Sequence, residues 1–541
     1  MVLGALWSAH WHLREWLPAA ARRAAGQDTT VPISPVELRR WISQAHRAIP
    51  AAEQDLKGRR ILVFACLSYW IDYVAAISAV LVARGAEVDF AWLPYSGFHL
   101  ESEGQDERIR GRYLPMFLGP LPRFRGVNLA DSPGMTADLS PATRAELHRL
   151  AVIDTQYVQR REHVDIEGAD RPLFQLRLKR LQHTYSTFRA LLEERRPDSL
   201  LVPSGGILEF GAVWTAVREA GVADRSIFVE SWEVRDACVM AIGRPCYEDV
   251  ANELWTTDAP HVIDPARRKR IDRTIAERQG TIWNAYVARY QSADLQQENE
   301  LRQQLALDDR PVLLVCPNVP FDAALLALPS PFATMTGWLR DVLEHLAERR
   351  DWQVIIRSHP GEVNLDARQG AESVVRSVLP NLPPNFRMIG PAQRVNTYGL
   401  MSFAKLGLVF SSTTGLEMAT RRIPVVLAVK THYAGKGFTV DTTTVEEFHR
   451  EIDRRLAQPQ LLPIETAELA QAYFDIFLNQ WARPFPWTLP MFPEDIRRYP
   501  PTLAMSAEGR RRFGDTFRIL AGGDEARRLL SQPPNPIARN D

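Results

Sequence analysis

Runs of apolar residues alternate along this chain with stretches of helical period. The first series opens with RILVFAC (Arg60–Cys66). A helix is predicted over Ile71–Arg84, Gly85 stops it, and Glu87–Trp92 follows as a second strand. The rhythm resumes at Ser199–Pro203, turns at Ser204-Gly205-Gly206, continues as a helix over Ile207–Ala220 and closes on a strand at Ser226–Glu230. A second series begins at Pro311–Cys316. It continues through a helix over Met335–Arg349, strands at Trp352–Arg357 and near Phe386–Ile389, and a helix over Thr397–Ala404. A strand at Leu406–Phe410, a helix carrying Glu417, a strand at Pro424–Val429 and a helix over Thr444–Leu456 complete it. Strand, helix, Gly and strand in this order read as right-handed parallel units. The expected fold class is α/β, with two Rossmann-like doubly wound domains facing a cleft.

The stretches between these series lack the alternation. Residues 1–57 read as a helical extension, with Ser34-Pro35 opening a helix through Trp41 and Ala45. The first domain is expected over 58–262, interrupted at about 96–198 by a largely helical insertion that helps to build an acceptor pocket. A charged helical connector over 263–308 leads to the second domain at 309–458. The remainder, 459–541, holds one helix (Glu465–Ala482) and then a Pro-rich wrapping tail, frayed beyond about Gln532.

With 541 residues the chain is too long for one core. Lys+Arg and Asp+Glu both number 65, so no global basic field favours a nucleic-acid partner. The four cysteines, Cys66, Cys238, Cys246 and Cys316, form no C-x-x-C pair, and reduced thiols in the cytoplasm fit them best. No apolar run approaches the length of a membrane span. Leu3, Leu6, Trp7, Trp11, Leu13 and Trp16 recur at roughly helical spacing. A helix packed against its own protein is the preferred reading of that stripe. Peripheral contact with the inner membrane face is the other.

Chemistry-bearing residues gather where strands end. Ser411, Ser412, Thr413 and Thr414 lie where a strand hands over to a helix, and backbone N–H groups there suit a phosphate. Glu417 stands on the first turn of that helix, placed either to meet ribose hydroxyls or to balance the helix dipole. His359, followed by Pro360, emerges at the end of another strand and is expected to donate to a phosphate or a leaving-group oxygen. Lys430, His432 and Lys436 follow the next strand, with Gly435 and Gly437 for flexibility, and are expected to close over phosphate. The echo between Ser204-Gly-Gly-Ile-Leu-Glu209 and Ser412-Thr-Thr-Gly-Leu-Glu417 points to two similar domains.

RSHPGE, NTYGLM, VFSSTTGLEMATRRIPVVLA and THYAGKGFTVD together resemble the carboxyl-terminal domain of glycosyltransferases of GT-B architecture. They are most similar to capsular-polysaccharide biosynthesis proteins, the group that contains β-Kdo transferases. VCPNVPFDAALL resembles the opening strand and loop of that domain. The likeness covers roughly residues 311–442 and is thin over the first 200. The His-Pro and Ser-Ser/Thr pairs are also similar to those with which bacterial sialyltransferases hold the CMP part of their donor. The resemblance implies donor contacts from His359, Ser411, Ser412 and Thr413, and a ribose-binding role for Glu417.

It further implies an acceptor side in the first domain. Asp72, Glu209, Glu230 and Glu233 lie at strand ends there, and Glu209 and Glu230 lead as catalytic acid or base, because similar proteins carry acids at those places. No D-x-D pair stands in a metal-binding loop, so neither a metal nor a cofactor is expected; a nucleotide sugar is the substrate. The reading is a cytoplasmic transferase moving a sugar, foremost a CMP-linked acid such as Kdo, onto a glycan or glycolipid acceptor. Its rivals are a UDP-sugar 2-epimerase or a CDP-polyol phosphotransferase on the same scaffold, and a non-catalytic scaffold protein of polysaccharide assembly.

Overall fold

The structure is a computed structural model that describes residues 35–48, 54–95, 121–132, 139–258 and 261–532 apart from short interior stretches, the longest of them 282–293. The stripe over Leu3–Trp16, Glu233 and most of the end beyond Gln532 lie outside the described residues.

Strands β1 (Arg60–Cys66), β2 (Glu87–Leu93), β3 (Phe124–Asn128), β4 (Ser199–Pro203), β5 (Ser226–Ser231) and β6 (Ala237–Ile242) belong to the first lobe. Strands β7 (Val312–Cys316), β8 (Gln353–Arg357), β9 (Phe386–Ile389), β10 (Ala404–Val409), β11 (Val425–Leu427) and β12 (Val440–Asp441) belong to the second, and β13 (Arg483–Pro484) lies in the tail. Among the described residues they form two sheets, ordered β13-β6-β5-β4-β1-β2-β3 and β12-β11-β10-β7-β8-β9. The second is parallel throughout; in the first, β6 and β13 run antiparallel to their neighbours. This is a mixed α/β fold of two doubly wound units.

The continuous apolar runs have a simple cause: helices cover both faces of each sheet, so a strand residue is buried whichever way it points. In the second sheet, Leu313, Val315, Val354, Ile356 and Leu408 face a layer with Trp338, Trp352 and Phe448. Val312, Leu314, Ile355 and Val409 face the other way, onto Leu416, Met418, Tyr433 and Tyr473. The tail crosses back to the first lobe. Trp481, Phe485, Trp487, Phe513 and Phe517 join its core, and Pro484 pairs with Ala237.

The stretch read as a helical insertion contains β3, which pairs in parallel with β2. Helices Pro141–Gln159 and Arg171–Arg195 then form the crossover from β3 to β4 and pack on helix Leu208–Glu219, as part of the sheet's own covering layer. FRGVN is an edge strand without a buried residue, so it lacks the apolar run that marks the others. The helix predicted over Glu465–Ala482 is α-helical over Ile464–Asp475 and continues as a π-helical turn over Ile476–Gln480. Among the described residues no helix is long and apolar enough to cross a membrane.

Glu209 sits in this layer. Arg177, fully buried, bridges it at 2.9 Å and Asp154 at 3.1 Å, and Asp154 also accepts from the Leu208 N–H at 2.8 Å. Burial pushes the Asp154 carboxyl up to about 6. Glu209, expected as a catalytic acid or base, therefore pairs with a buried guanidinium whose other partner, Asp154, holds the start of the helix. Removing Arg177 strands two buried carboxylates. An Arg177→Met protein is expected to lose about 3–5 kcal/mol in urea unfolding. The combination Asp154→Asn, Arg177→Met and Glu209→Gln is expected to recover most of it.

Candidate functional site

The register of the second sheet brings three strand ends level. Val409 lies beside Cys316, and Val315 lies beside Ile356, so Cys316 stands beside Arg357. Two residues past those ends come Ser411, Asn318 and His359. The strands carrying Ser411 and His359 flank β7, so at ordinary strand spacing they stand about 10 Å apart. Asn318 fills the space between: its Oδ1 accepts the Ser411 N–H at 3.1 Å.

His359 is set by its own turn. Its Nδ1 accepts the Gly361 N–H at 3.0 Å, which leaves Nε2 as the ring's N–H donor. Pro360 and Gly361 make that turn, and both Pro360 and His359 are half-buried. Beneath them Arg357 is buried and donates to the carbonyls of Gly390 at 2.7 Å and Val395 at 3.3 Å, fixing the loop after β9. Desolvation pulls its guanidinium down to about 10. Glu362 accepts the Ala371 N–H at 3.4 Å, and burial pushes its carboxyl up to about 7. One strand further out a groove of about 400 Å³ runs between β9 and helix Ala371–Val378, lined by Glu372, Arg376, Met388, Gly390 and Gln393 among others.

The hydroxyl turn is rigid. Ser412 Oγ donates to Thr414 Oγ1 at 3.0 Å and accepts the Thr414 N–H at 3.3 Å, while the Tyr433 hydroxyl donates to the Ser412 carbonyl at 2.5 Å. A Cβ on Gly415 would stand 2.5 Å from that same hydroxyl, so this position admits no side chain. Ser411 and Thr413 are half-buried, and Thr413, at the N-cap of helix Thr414–Thr420, does not cap it with its own side chain. Lys430 is exposed just past β11.

Three expected phosphate or ribose ligands are committed elsewhere. Glu417 is buried against Arg278 of the connector helix Pro265–Gln279, and the Arg278 Nε also donates to the Tyr398 hydroxyl at 3.2 Å. Lys436 is buried, bonded to Asn252 and held over the Tyr473 ring at 4.8 Å. His432 stacks on Phe477 at 4.0 Å with Nδ1 3.0 Å from the Tyr473 hydroxyl. Burial, and then the Lys436 charge, pull its imidazole down to about 3, so it is neutral. The loop read as a basic flap is instead the seam between the lobes. Its aromatic neighbours desolvate it, and its cation points at Asn252 of helix Ala251–Thr257.

In the first lobe Pro203 lies beside Val229, so Ser204, just past β4, is level with Glu230, which sits one residue before the end of β5 and pairs with Val239. Ser204 and Gly205 both hold a positive φ, 54° and 95°, and a Cβ on Gly205 would meet the Phe228 ring at 2.5 Å. Burial pushes the Glu230 carboxyl up to about 7, opposed by hydrogen bonds from the Ser231 N–H and the Ser204 hydroxyl. The Tyr157 phenol is raised by its own burial and then by the charges of Asp322, from the second lobe, and Glu230. Two residues beyond Glu230, Trp232 meets Phe477 and Trp481 edge-on where the lobes join. Sequence reasoning passed over Asn318, Arg278 and Tyr157, and marked Ser204 only as a turn hydroxyl. Only Asn318 carried a usable signal, a polar residue just past a strand end. Among the described residues no cluster of three or more His, Cys, Asp or Glu is arranged to hold a metal ion.

Comparison with known proteins adds one segment-level likeness. Among curated proteins there is no match. Solved structures to which the chain is similar include the β-Kdo 2,4 transferase of KpsC from Thermosulfurimonas dismutans, 15% identical, with a TM-score of 0.35 over 51% of this chain and 79% of that one. The UDP-GlcNAc 2-epimerase from Neisseria meningitidis bound to UDP-GlcNAc is 11% identical, with a TM-score of 0.26 over 76% of this chain and 95% of that one. Sucrose-phosphate synthase from Thermosynechococcus elongatus is 13% identical, with a TM-score of 0.30 over 78% and 95%. Residues 259–476, which hold the connector, the whole second sheet and the crossing helix, match the family described as capsule polysaccharide biosynthesis protein.

Proposed function

We propose that this chain is a glycosyltransferase of capsule or other surface-polysaccharide biosynthesis. The second lobe, 309–458, holds a nucleotide-activated donor, and the first, 58–262, receives a glycan or glycolipid acceptor. The observation that carries the reading is the level alignment of His359 and the Ser411–Thr414 turn on strands flanking β7. The His359 ring and the half-buried Ser411 and Thr413 of the hydroxyl turn, about 10 Å apart, match a phosphate with its sugar or nucleoside between them. The family match over 259–476 contains both. A CMP-linked acid such as Kdo is the leading donor, and the cytoplasm, which supplies nucleotide sugars, is the proposed place of work.

The chemistry follows from placement. His359 Nε2–H and the hydroxyls of Ser411 and Thr413 stabilise charge on the departing nucleotide phosphate, with Lys430 at the rim. As the donor's bond to phosphate breaks, the acceptor hydroxyl forms the new glycosidic bond and gives its proton to Glu230. A carboxyl held near 7 takes a proton from a hydroxyl more readily than one of ordinary acidity.

Three measurements test this. In a thermal-shift panel of CMP, UDP, GDP and CDP, CMP is expected to stabilise most, by about 2.7 kcal/mol at a hundred times its Kd. A silent panel contradicts the reading, and turnover of a nucleotide sugar without acceptor favours the epimerase. His359→Ala is expected to fold normally and to lower donor turnover by roughly 10²–10³-fold; undiminished turnover removes His359 from the mechanism.

Glu230→Gln is expected to abolish transfer and to change the pH dependence of stability. In the folded protein the Glu230 carboxyl titrates near 7, above its ordinary 4.5, so the folded state holds the extra proton. The resulting stability is complete below pH 4.5 and disappears as pH rises through 7. Relative to the wild type, Glu230→Gln should therefore be more stable at pH 8 than at pH 4.5, by up to about 3 kcal/mol. Parallel stability curves for the two proteins contradict the assignment.

A further inference from the structure

The lobes are joined on one face by the chain itself. Helices Pro265–Gln279 and Ile464–Asp475 pack beside helix Thr414–Thr420, and Trp232 of the first lobe meets Phe477 and Trp481 edge-on at 5.0 and 4.9 Å. Helix Met335–Leu346 covers the opposite face of the second sheet, in the layer with Trp352 and Phe448. A second contact between the lobes is made there.

Glu162 follows helix Pro141–Gln159 of the first lobe and is only 4% exposed. Its carboxylate accepts the N–H groups of Met335 at 2.8 Å and Thr336 at 2.9 Å, and the Thr336 hydroxyl. Thr334 caps the same helix through the Gly337 N–H, so the local cap leaves those two amides for Glu162. Among the described residues no Lys, Arg or His forms an ion pair with Glu162, and its charge is held by the helix end across the cleft. Close by, Tyr157 meets Phe321 of the second lobe edge-on at 6.5 Å.

We infer that Glu162 is a positioning residue: it latches the lobes together on the face opposite the chain crossing, and so sets the distance between Glu230 and His359 without touching substrate. The physics favours a reversible latch over a permanent staple. On opening, the carboxylate exchanges three protein donors for water, and the helix regains water at its exposed amides, so the net strength is modest. A hinge on one face and a weak catch on the other let donor and acceptor enter and nucleotide leave. The purpose of the latch rests on the transferase reading; the latch itself is testable without any ligand.

The test uses the full chain. All four cysteines are buried, so spin labels on Arg144→Cys in the first lobe and Glu348→Cys in the second, both exposed positions, report the separation of the lobes. Glu162→Ala should shift the label distances to longer values and accelerate exchange of the Met335 and Thr336 amides by about tenfold or more. Glu162→Gln, which keeps an acceptor but loses the charge, should fall between. Accelerated exchange with unchanged label distances would reduce Glu162 to a helix cap and overturn the inference. If Glu162→Ala does not fold, Thr336→Val, which removes one donor of three, carries the same comparison: longer distances support the latch and unchanged ones overturn it. Neither result bears on nucleotide binding, which the thermal-shift panel decides separately.

Discussion

Burial of parallel strands on both faces is the constraint from which this molecule follows. A strand covered by helices above and below leaves little room for polar side chains along its length. Chemistry is pushed to the ends, where strands stop and backbone groups lose their ladder partners. In the second sheet those ends carry Asn318, His359 and Ser411 at one level. In the first they carry Ser204 and Glu230 at one level. Two edges with polar tips, brought face to face, form a cleft suited to one donor and one acceptor.

Several charged groups buried away from these edges are held by partners, and this separates structure from chemistry. Glu209 looks like Glu230 in the sequence, since both follow first-lobe strands. One meets Arg177 inside the helical layer, whereas the other stays beside Ser204, two residues before Trp232, where the lobes join. Glu417 and Lys436 follow the same rule: Arg278 and Asn252 neutralise or satisfy them where the lobes join. Glu162 is the informative case, because its partners lie in the other lobe.

Most of the buried strands were legible because apolar runs without alternation are an unusual pattern with one common cause; the order β10-β7-β8, which brings their ends level, appeared only in the structure. RILVFAC, VLLVC and QVIIR could be read directly. FRGVN could not, since an edge strand with half-exposed side chains resembles a loop. His359 and the hydroxyl turn were legible for a related reason: polar groups immediately past an apolar run announce a strand end. The commitments of Glu209, Glu417 and Lys436 were not, because each depends on a partner far away in sequence. Arg177, Arg278 and Asn252 are ordinary residues on ordinary helices until the fold brings them into contact. The wall of the cleft shows the same limit in Tyr157, whose setting depends on Asp322 from the other lobe.

The central claim is that a nucleotide's phosphate rests on the carboxyl edge of the second sheet. Hydrogen exchange of the full chain with and without CMP tests it most directly. Slowed exchange confined to the amides around His359–Gly361 and Ser411–Gly415, lost in His359→Ala, is the result expected here. Protection that appears only elsewhere in the chain, or identical protection in His359→Ala, would contradict it.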